Sequence, residues 1–320
     1  MLRQKKQLTI FLIFLFILQL LAGCSGEGVD FNLEPTLEEI TWEVLNDLGE
    51  TKEGASDTEE SESATVGQLK VHFLDVGQAD SILVQSREHF MLIDAGNNND
   101  AEFIVKYLKD QGVTKLDYVI GTHPHEDHIG SLDVVIDTFE IGKVFMPKVT
   151  HTTKTFEDVL LAIQNKSLKI NSPEPGSVFV LGDAEFTILA PNSKSYKDLN
   201  NYSLVIKLVH GKNSFLFTGD AEDVSEKEIL EAGWDVVSDV LKVGHHGSSS
   251  STTSVFLNEV NPTYAVISLG EGNDYGHPHK ETLAKLTKKG VKIFRTDQQG
   301  TIIASSDGQT LKFETTLDDK

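Results

Sequence analysis

Three imidazoles and a carboxylate fall within six positions of a 320-residue chain that has 11 histidines in all. They are His123, His125, Asp127 and His128, in the run Gly121-Thr-His-Pro-His-Glu-Asp-His-Ile-Gly130. Neutral imidazole and carboxylate are the groups that zinc and similar divalent metals take as ligands. A polar surface loop with clustered histidines is the plain alternative, and it accounts poorly for such density. One catalytic zinc keeps a position open for water, so four ligands on one loop exceed its need. The spacing therefore predicts two metal ions sharing one site.

The elements that must position these groups are legible around them. The apolar stretch Leu116–Ile120 reads as a buried strand, which puts the ligand run on a loop at a strand end. An internal repeat supplies what the run lacks. The first half reads Ser81-Ile-Leu-Val-Gln85, a turn, Phe90-Met-Leu-Ile-Asp94, a helix over 101–109, and a strand from Asp117 to His123. The second reads Ser203-Leu-Val-Ile-Lys207, a turn, Phe215-Leu-Phe-Thr-Gly-Asp220, a helix over 223–232, and a strand from Asp239 to His245. Each half is hairpin, helix, strand, with an Asp after the second strand and a His after the third. Two such halves packed face to face bring Asp220, His123 and His245 to one end of a two-sheet core. Both Asp117-to-His123 and Asp239-to-His245 are six-residue steps, a register that favours His245 over His246 as ligand.

Asp220 has two oxygens and can bridge two cations, offsetting their repulsion. Asp127 can hold a metal and accept a hydrogen bond from the attacking water. Asp94, the counterpart of Asp220, is expected to support the neighbouring ligand loop rather than bind metal. His277 and His279 follow a predicted strand over 264–268 and a Gly-rich loop, and His279 opens a predicted helix to Lys289. Either could give a proton to a leaving oxygen. His72, His89, His151 and His210 read as strand, turn or surface residues, with His151 within reach of the cleft.

On these residues the chain resembles the metallo-β-lactamase-fold hydrolases, and among them the extracellular hydrolase domain of ComEC-type DNA-uptake (competence) proteins. The resemblance covers about residues 69–317. It rests on Phe73-Leu-Asp-Val-Gly-Gln-Ala-Asp-Ser81, Leu92-Ile-Asp-Ala-Gly96, the ligand run, Asn200-Asn-Tyr-Ser-Leu-Val205, Thr218-Gly-Asp220, Val243-Gly-His-His-Gly-Ser248 and Tyr275-Gly-His-Pro-His279. It implies an α/β fold, the αββα four-layer sandwich with helices outside two mixed sheets, built from two related halves. It implies one metal site of His123, His125 and Asp220, and a second of Asp127, His128, Asp220 and His245. Where the wider superfamily carries another histidine before the strand at Ser203, this chain has Asn200 and Asn201. An amide oxygen binds zinc more weakly than imidazole, so the first site is expected to be looser or suited to manganese, with zinc the leading metal overall.

The residue after Asp127 is a histidine, and the domain has no cysteine to enter a metal site. Taken with the resemblance, that implies hydrolysis of phosphodiesters, DNA among them, rather than β-lactams. A similar motif set in secreted phosphorylcholine esterases keeps a cell-envelope esterase open, with Tyr196, Tyr202 and Tyr275 as candidates for an aromatic cage. A non-catalytic binding lipoprotein is the third reading.

Location comes from the N-terminus. Arg3, Lys5 and Lys6 precede the apolar run Leu8–Leu21, which ends in Leu21-Ala-Gly-Cys24. That is a secretory signal over residues 1–23, resembling a bacterial lipoprotein signal with Cys24 as the lipidated residue. Cys24 is the only cysteine, so no intrachain disulfide forms. Residues 24–67 are acidic and Ser/Thr-rich and read as a disordered tether. Residues 68–320 fit one hydrolase domain, expected to be a monomer on the outer face of the cytoplasmic membrane. The net charge of −21 argues against a processive nuclease, since phosphate contacts dominate non-specific DNA binding. One basic run, Lys280, Lys285, Lys288, Lys289, Lys292 and Arg295, follows the His277–His279 loop and could track a phosphate backbone.

Overall fold

The computed structural model describes residues 67–317. The expected signal over 1–23, Cys24 and the expected tether up to residue 66 lie outside the described residues, as do residues 318–320. Among the described residues no helix is long and apolar enough to cross a membrane.

The first half-repeat forms β2 (Ser81–Ser86), β3 (His89–Ala95), α1 (Ala101–Asp110) and β4 (Lys115–Ile120). The second forms β9 (Val205–His210), β10 (Asn213–Phe217), α5 (Asp223–Glu231) and β11 (Val240–Lys242). In both, the first two strands pair antiparallel and the third joins parallel. The repeat read in the sequence is therefore a repeat of topology.

Sheet one has eight strands in the order β15-β14-β1-β2-β3-β4-β5-β6, and sheet two has seven in the order β13-β12-β11-β10-β9-β8-β7. The added strands are β1 (Leu69–Phe73), β5 (Glu140–Phe145), β6 (Ile170–Asn171), β7 (Val178–Leu181), β8 (Ala184–Ala190), β12 (Tyr264–Ile267), β13 (Lys292–Arg295), β14 (Ile302–Ser306) and β15 (Leu311–Thr315). Both sheets mix parallel and antiparallel pairs. Their inner faces interdigitate through Phe73, Ile93, Ile120 and Phe145 from one sheet and Phe186, Ile206, Phe215 and Phe217 from the other.

Helices cover the two outer faces. On sheet one α1 packs with α2 (Glu126–Ile129), α3 (Leu132–Thr138) and α4 (Lys154–Asn165) over a cluster that includes Leu92, Leu116, Val135 and Val159. On sheet two α5 packs with α6 (Ser254–Val260) and α7 (Lys280–Lys289) over Leu216, Leu241, Phe256 and Leu286. A last short helix, α8 (Thr296–Gln299), leads into β14. The layers run helix, sheet, sheet, helix. Burial on both faces explains why central strands such as β2 and β3 read as near-continuous apolar runs rather than alternating ones.

The C-terminal hairpin departs from a simple pairing of halves. β14 crosses to sheet one and pairs with β1. Ile302 and Ala304 alternate into the core while Ile303 stays partly exposed. The hairpin covers what is otherwise an open edge at β1.

Candidate metal centre

The ends of β3, β4, β10 and β11 converge on one rim of the sandwich, and the ligand groups sit on the loops that leave them. Asp94 is an extra residue in β3: Ser81 pairs with Ala95 and Ile82 with Ile93, leaving Asp94 in a bulge at φ 59°. Bulges re-aim side chains beside functional sites. Here the carboxylate is turned to accept from Thr122 N and Thr122 Oγ1, both at 2.7 Å, and to pair with His128 Nδ1 at 2.8 Å. Asp94 thus fixes which nitrogen of His128 faces the cleft, namely Nε2. His125 serves as the N-cap residue of α2, whose four residues carry Asp127 and His128.

Asp127, His128, Asp220 and His246 form a group whose ligand atoms all lie within 4.8 Å of one another. His128 Nε2 is 3.3 Å from Asp220 Oδ1, and His246 Nε2 is 3.3 Å from Asp127 Oδ2 and 3.7 Å from Asp220 Oδ2. The atoms His128 Nε2, His246 Nε2 and Asp220 Oδ1 are buried and make no hydrogen bond. Buried polar atoms are nearly always satisfied, so orphaned atoms aimed at one another mark a place for a cation. His123 packs against His128 with ring centroids 4.2 Å apart and meets His125 through a 2.9 Å Nε2–Nδ1 contact. The donor set therefore fits two divalent metals: imidazole and carboxylate throughout, with Asp220 between the two histidine groups.

The electrostatics agree with that fit. Burial pushes Asp127 and Asp220 up, but His128 and His246 outweigh it and hold both carboxyls below their ordinary range. Burial likewise pushes His128 down, and Asp220, Asp127 and Asp94 overcome it and raise the imidazole well above its usual value. The carboxylates demand positive charge among them, and divalent cations meet the same demand. His123, by contrast, is driven well below its ordinary value by burial and by His128, as a neutral ligand must be.

Both histidines after β11 approach Asp220. His246 belongs to the buried group and is 1% exposed, with Nε2 3.7 Å from Asp220. His245 Nε2 is likewise 3.7 Å from Asp220, its Nδ1 stands 3.2 Å from Glu222, and it lines the cleft. Both residues have positive φ, 48° and 50°, a left-handed turn that lets consecutive side chains reach the same carboxylate. Asn200 and Asn201 part company. Asn201 Oδ1 accepts from Glu222 N and Ser225 N and so fixes the start of α5. Asn200 lines the cleft with its Oδ1 buried and unpartnered, and its Nδ2 lies 3.4 Å from both Glu222 Oε1 and His245 Nδ1.

The cluster floors a cleft of about 540 Å³ lined also by Gln78, Asn97, Glu126, His151, Tyr275 and His277. His277 stands in its wall. His279 does not line it, since His279 Nδ1 accepts from Ser249 N at 2.9 Å. Gln78 orients His277: its Oε1 accepts from Gly270 N at 3.2 Å, which leaves Nε2 to donate to His277 Nδ1 at 3.3 Å. The ring proton of His277 is then on Nε2. His151 reaches the cleft beside His125, with ring centroids 6.1 Å apart.

Sequence reading missed Asp80, Lys242 and Gln78. The signal for Lys242 was present, a lone Lys inside the apolar strand Val240-Leu-Lys-Val243. The basic run does not line the cleft among the described residues. Lys285 donates to the Ser251 and Thr252 carbonyls, Lys288 and Lys289 line a separate cavity with Asn258, and Arg295 pairs with Asp297. Nor do three tyrosines gather: Tyr196 packs on Tyr202 with centroids 5.0 Å apart, and Tyr202 lines a different cavity.

Comparison with known proteins bears on this geometry. Residues 74–271 match the family described as the metallo-beta-lactamase superfamily. The ComE operon protein 3 of Bacillus subtilis (strain 168) is 32% identical over 251 residues, 73% of this chain and 32% of that protein. The competence protein ComA of Neisseria gonorrhoeae is 30% identical over 243 residues, 75% of this chain and 33% of that one. The chain spans about a third of the length of these curated relatives. Among solved structures, the metallo-beta-lactamase fold protein YhfI from Bacillus subtilis has a TM-score of 0.48 at 14% identity, over 75% of this chain and 100% of that one.

Proposed function

The chain belongs to the metallo-β-lactamase superfamily, and on that premise we propose that it is a two-metal phosphodiesterase acting on nucleic acid outside the cytoplasmic membrane. The observation that carries the hydrolytic reading is the set of orphaned, buried ligand atoms on His128, His246 and Asp220 at the floor of an open cleft. A relative named as a competence protein, with the resemblance to DNA-uptake proteins, supports nucleic acid as the substrate class. Anchoring through a lipidated Cys24 is part of this proposal.

His123, His125 and Asp220 would hold one metal; Asp127, His128, Asp220 and His246 would hold the other. Bound there, the pair supplies Lewis acidity that activates a water and neutralises phosphoryl oxygens. Asp127, ionised and facing the cleft, orients that water through a hydrogen bond. Burial together with His245 and His246 holds the His277 imidazole down at about 4, so it is neutral near pH 7. Its Nε2–H donates a hydrogen bond to a phosphoryl or leaving oxygen and keeps its proton, stabilising the charge that develops there. Asp94 and Thr122 keep His128 from turning.

The test is hydrolysis by the purified full chain loaded with zinc or manganese. Substrates are single-stranded DNA, bis(p-nitrophenyl) phosphate and p-nitrophenyl phosphorylcholine, with Asp127→Ala and His125→Ala as controls. DNA cleavage that falls by more than about 100-fold in both variants is the expected result, since ligand loss should exceed the roughly 10–100-fold typical of supporting residues. Turnover of the phosphorylcholine ester alone would make the protein an envelope esterase. Metal binding with no turnover would make it a binding lipoprotein.

A further inference from the structure

One aromatic ring on the cleft takes no part in the hydrolysis. Tyr275 lines the cleft and is 70% exposed. Its loop is nonetheless fixed. Asn273 donates from Nδ2 to the Gly270 and His277 carbonyls at 3.0 and 2.7 Å, and its Oδ1 accepts from His277 N at 2.9 Å. Gln78 ties the same loop down at Gly270. The Tyr275 ring lies over His277 with centroids 5.6 Å apart and planes 21° apart, and His277 lies over His246 at 6.3 Å and 25°. The three rings therefore step outward from a candidate metal ligand, each inclined 21–25° to its neighbour, and the last is largely exposed.

The lining of this cleft includes no lysine or arginine among the described residues. Any hold by the side chains of this lining therefore comes from imidazole, amide and aromatic groups rather than from lysine or arginine. We propose that Tyr275 is a stacking platform for the nucleobase next to the scissile phosphodiester, and that the substrate is consequently single-stranded nucleic acid. This inference rests on the phosphodiesterase reading. A base laid on Tyr275 must leave its neighbours, which a paired duplex resists. Stacking of this kind is tolerant of sequence, because every base has a π-face. A quaternary ammonium is the poorer occupant: cages for it enclose the cation with several aromatic faces, and Tyr196 and Tyr202 are engaged with each other elsewhere.

The experiment compares wild type with Tyr275→Ala, Tyr275→Phe and Tyr275→Trp in the metal-loaded full chain. The substrates are a single-stranded oligonucleotide, its duplex and an abasic oligonucleotide of equal length. A 2-aminopurine reporter read in chelator, without turnover, follows stacking directly. Tyr275→Ala should raise KM for the single strand by about 5–150-fold, the value of one stacked base, while Phe and Trp keep it low. The wild-type advantage should vanish on the abasic strand, and quenching of 2-aminopurine should disappear in Tyr275→Ala alone. DNA cleavage with unchanged KM and quenching in Tyr275→Ala overturns the platform and leaves the phosphodiesterase. A wild type that neither cleaves nor quenches overturns both. Tyr275-dependent turnover of the phosphorylcholine ester gives the ring to a different substrate and also overturns the proposal.

Discussion

Lys242 and Asp80 meet at 2.7 Å with both side chains sealed from solvent. Lys242 ends β11 in sheet two, and Asp80 directly precedes β2 in sheet one, so the ion pair joins the two sheets behind the ligand cluster. Asp80 also stands 3.8 Å from His246 Nδ1 and 3.9 Å from His128 Nδ1. Its backbone N–H donates to the Asp127 carbonyl at 3.1 Å. One buried carboxylate thus touches both ligand loops, and one buried ammonium compensates it.

Breaking that pair should cost far more than its net worth. Lys242→Met strands the Asp80 carboxylate in the interior, and an uncompensated buried charge destabilises by about 3–5 kcal/mol. Adding Asp80→Asn removes the stranded charge and should restore much of the loss. Guanidinium unfolding of the two single variants and the double variant measures this. A double variant no more stable than Lys242→Met alone would refute the pairing argument.

Metal content separates the adjacent histidines. His246 Nε2 faces Asp127 and Asp220, while His245 Nδ1 is committed to Glu222. His246→Ala should therefore lose about one equivalent of metal, measured by elemental analysis after dialysis. His245→Ala should keep its metal and lose affinity by about 10-fold, the scale of a supporting residue. Reversed results would return the ligand to His245 and the register of the first half.

Most of this centre was legible because its signals are local. The ligand run, the strand before it and the paired Asp-His spacings each lie within one stretch of chain. The departures depend on long-range partners. Asp94 becomes a bulge only because the pairing of β2 with β3 shifts by one residue across it. The six-residue step points to His245, and the left-handed pair at His245 and His246, invisible to spacing, brings the next imidazole to Asp220 as well. Lys242 in an apolar strand reads as an anomaly until Asp80 arrives from the other sheet. The C-terminal hairpin crosses to sheet one for an edge that no periodicity in β14 identifies.

Gly130 closes the ligand run for a steric reason. Its φ is −54°, so backbone freedom is not what it provides. A Cβ there would lie 2.2 Å from the Asn97 carbonyl carbon and 2.3 Å from Asn98 N, both backbone atoms that cannot swing away. Gly130→Ala must push α2 from the loop after β3, displacing His128 from Asp94. Overpacking of this kind costs about 1–3 kcal/mol, and the metal affinity should fall about 10-fold with it. A variant with wild-type thermal stability and wild-type metal affinity would show that the two segments have room to part.

His72, on β1 and away from the metal centre, should make the fold sensitive to acid. It is 1% exposed, shares a 2.8 Å hydrogen bond with the Tyr107 hydroxyl, and leaves Nε2 unpartnered. Burial, with Lys70 adding to it, lowers its pKa to about 4, against about 6.5 in an unfolded chain. The folded state thus binds fewer protons between these values. Its contribution to stability is complete above about 6.5 and is lost progressively as pH falls toward 4. Each unit of difference is worth about 1.4 kcal/mol, so the full loss is about 3 kcal/mol. His72→Phe keeps the ring packing and removes the titration. Its stability should fall less than that of wild type between pH 7 and pH 4, read by urea unfolding with the metal removed by chelator. Parallel pH profiles for the two proteins would mean that protonated His72 finds a partner at Nε2 and costs the fold nothing.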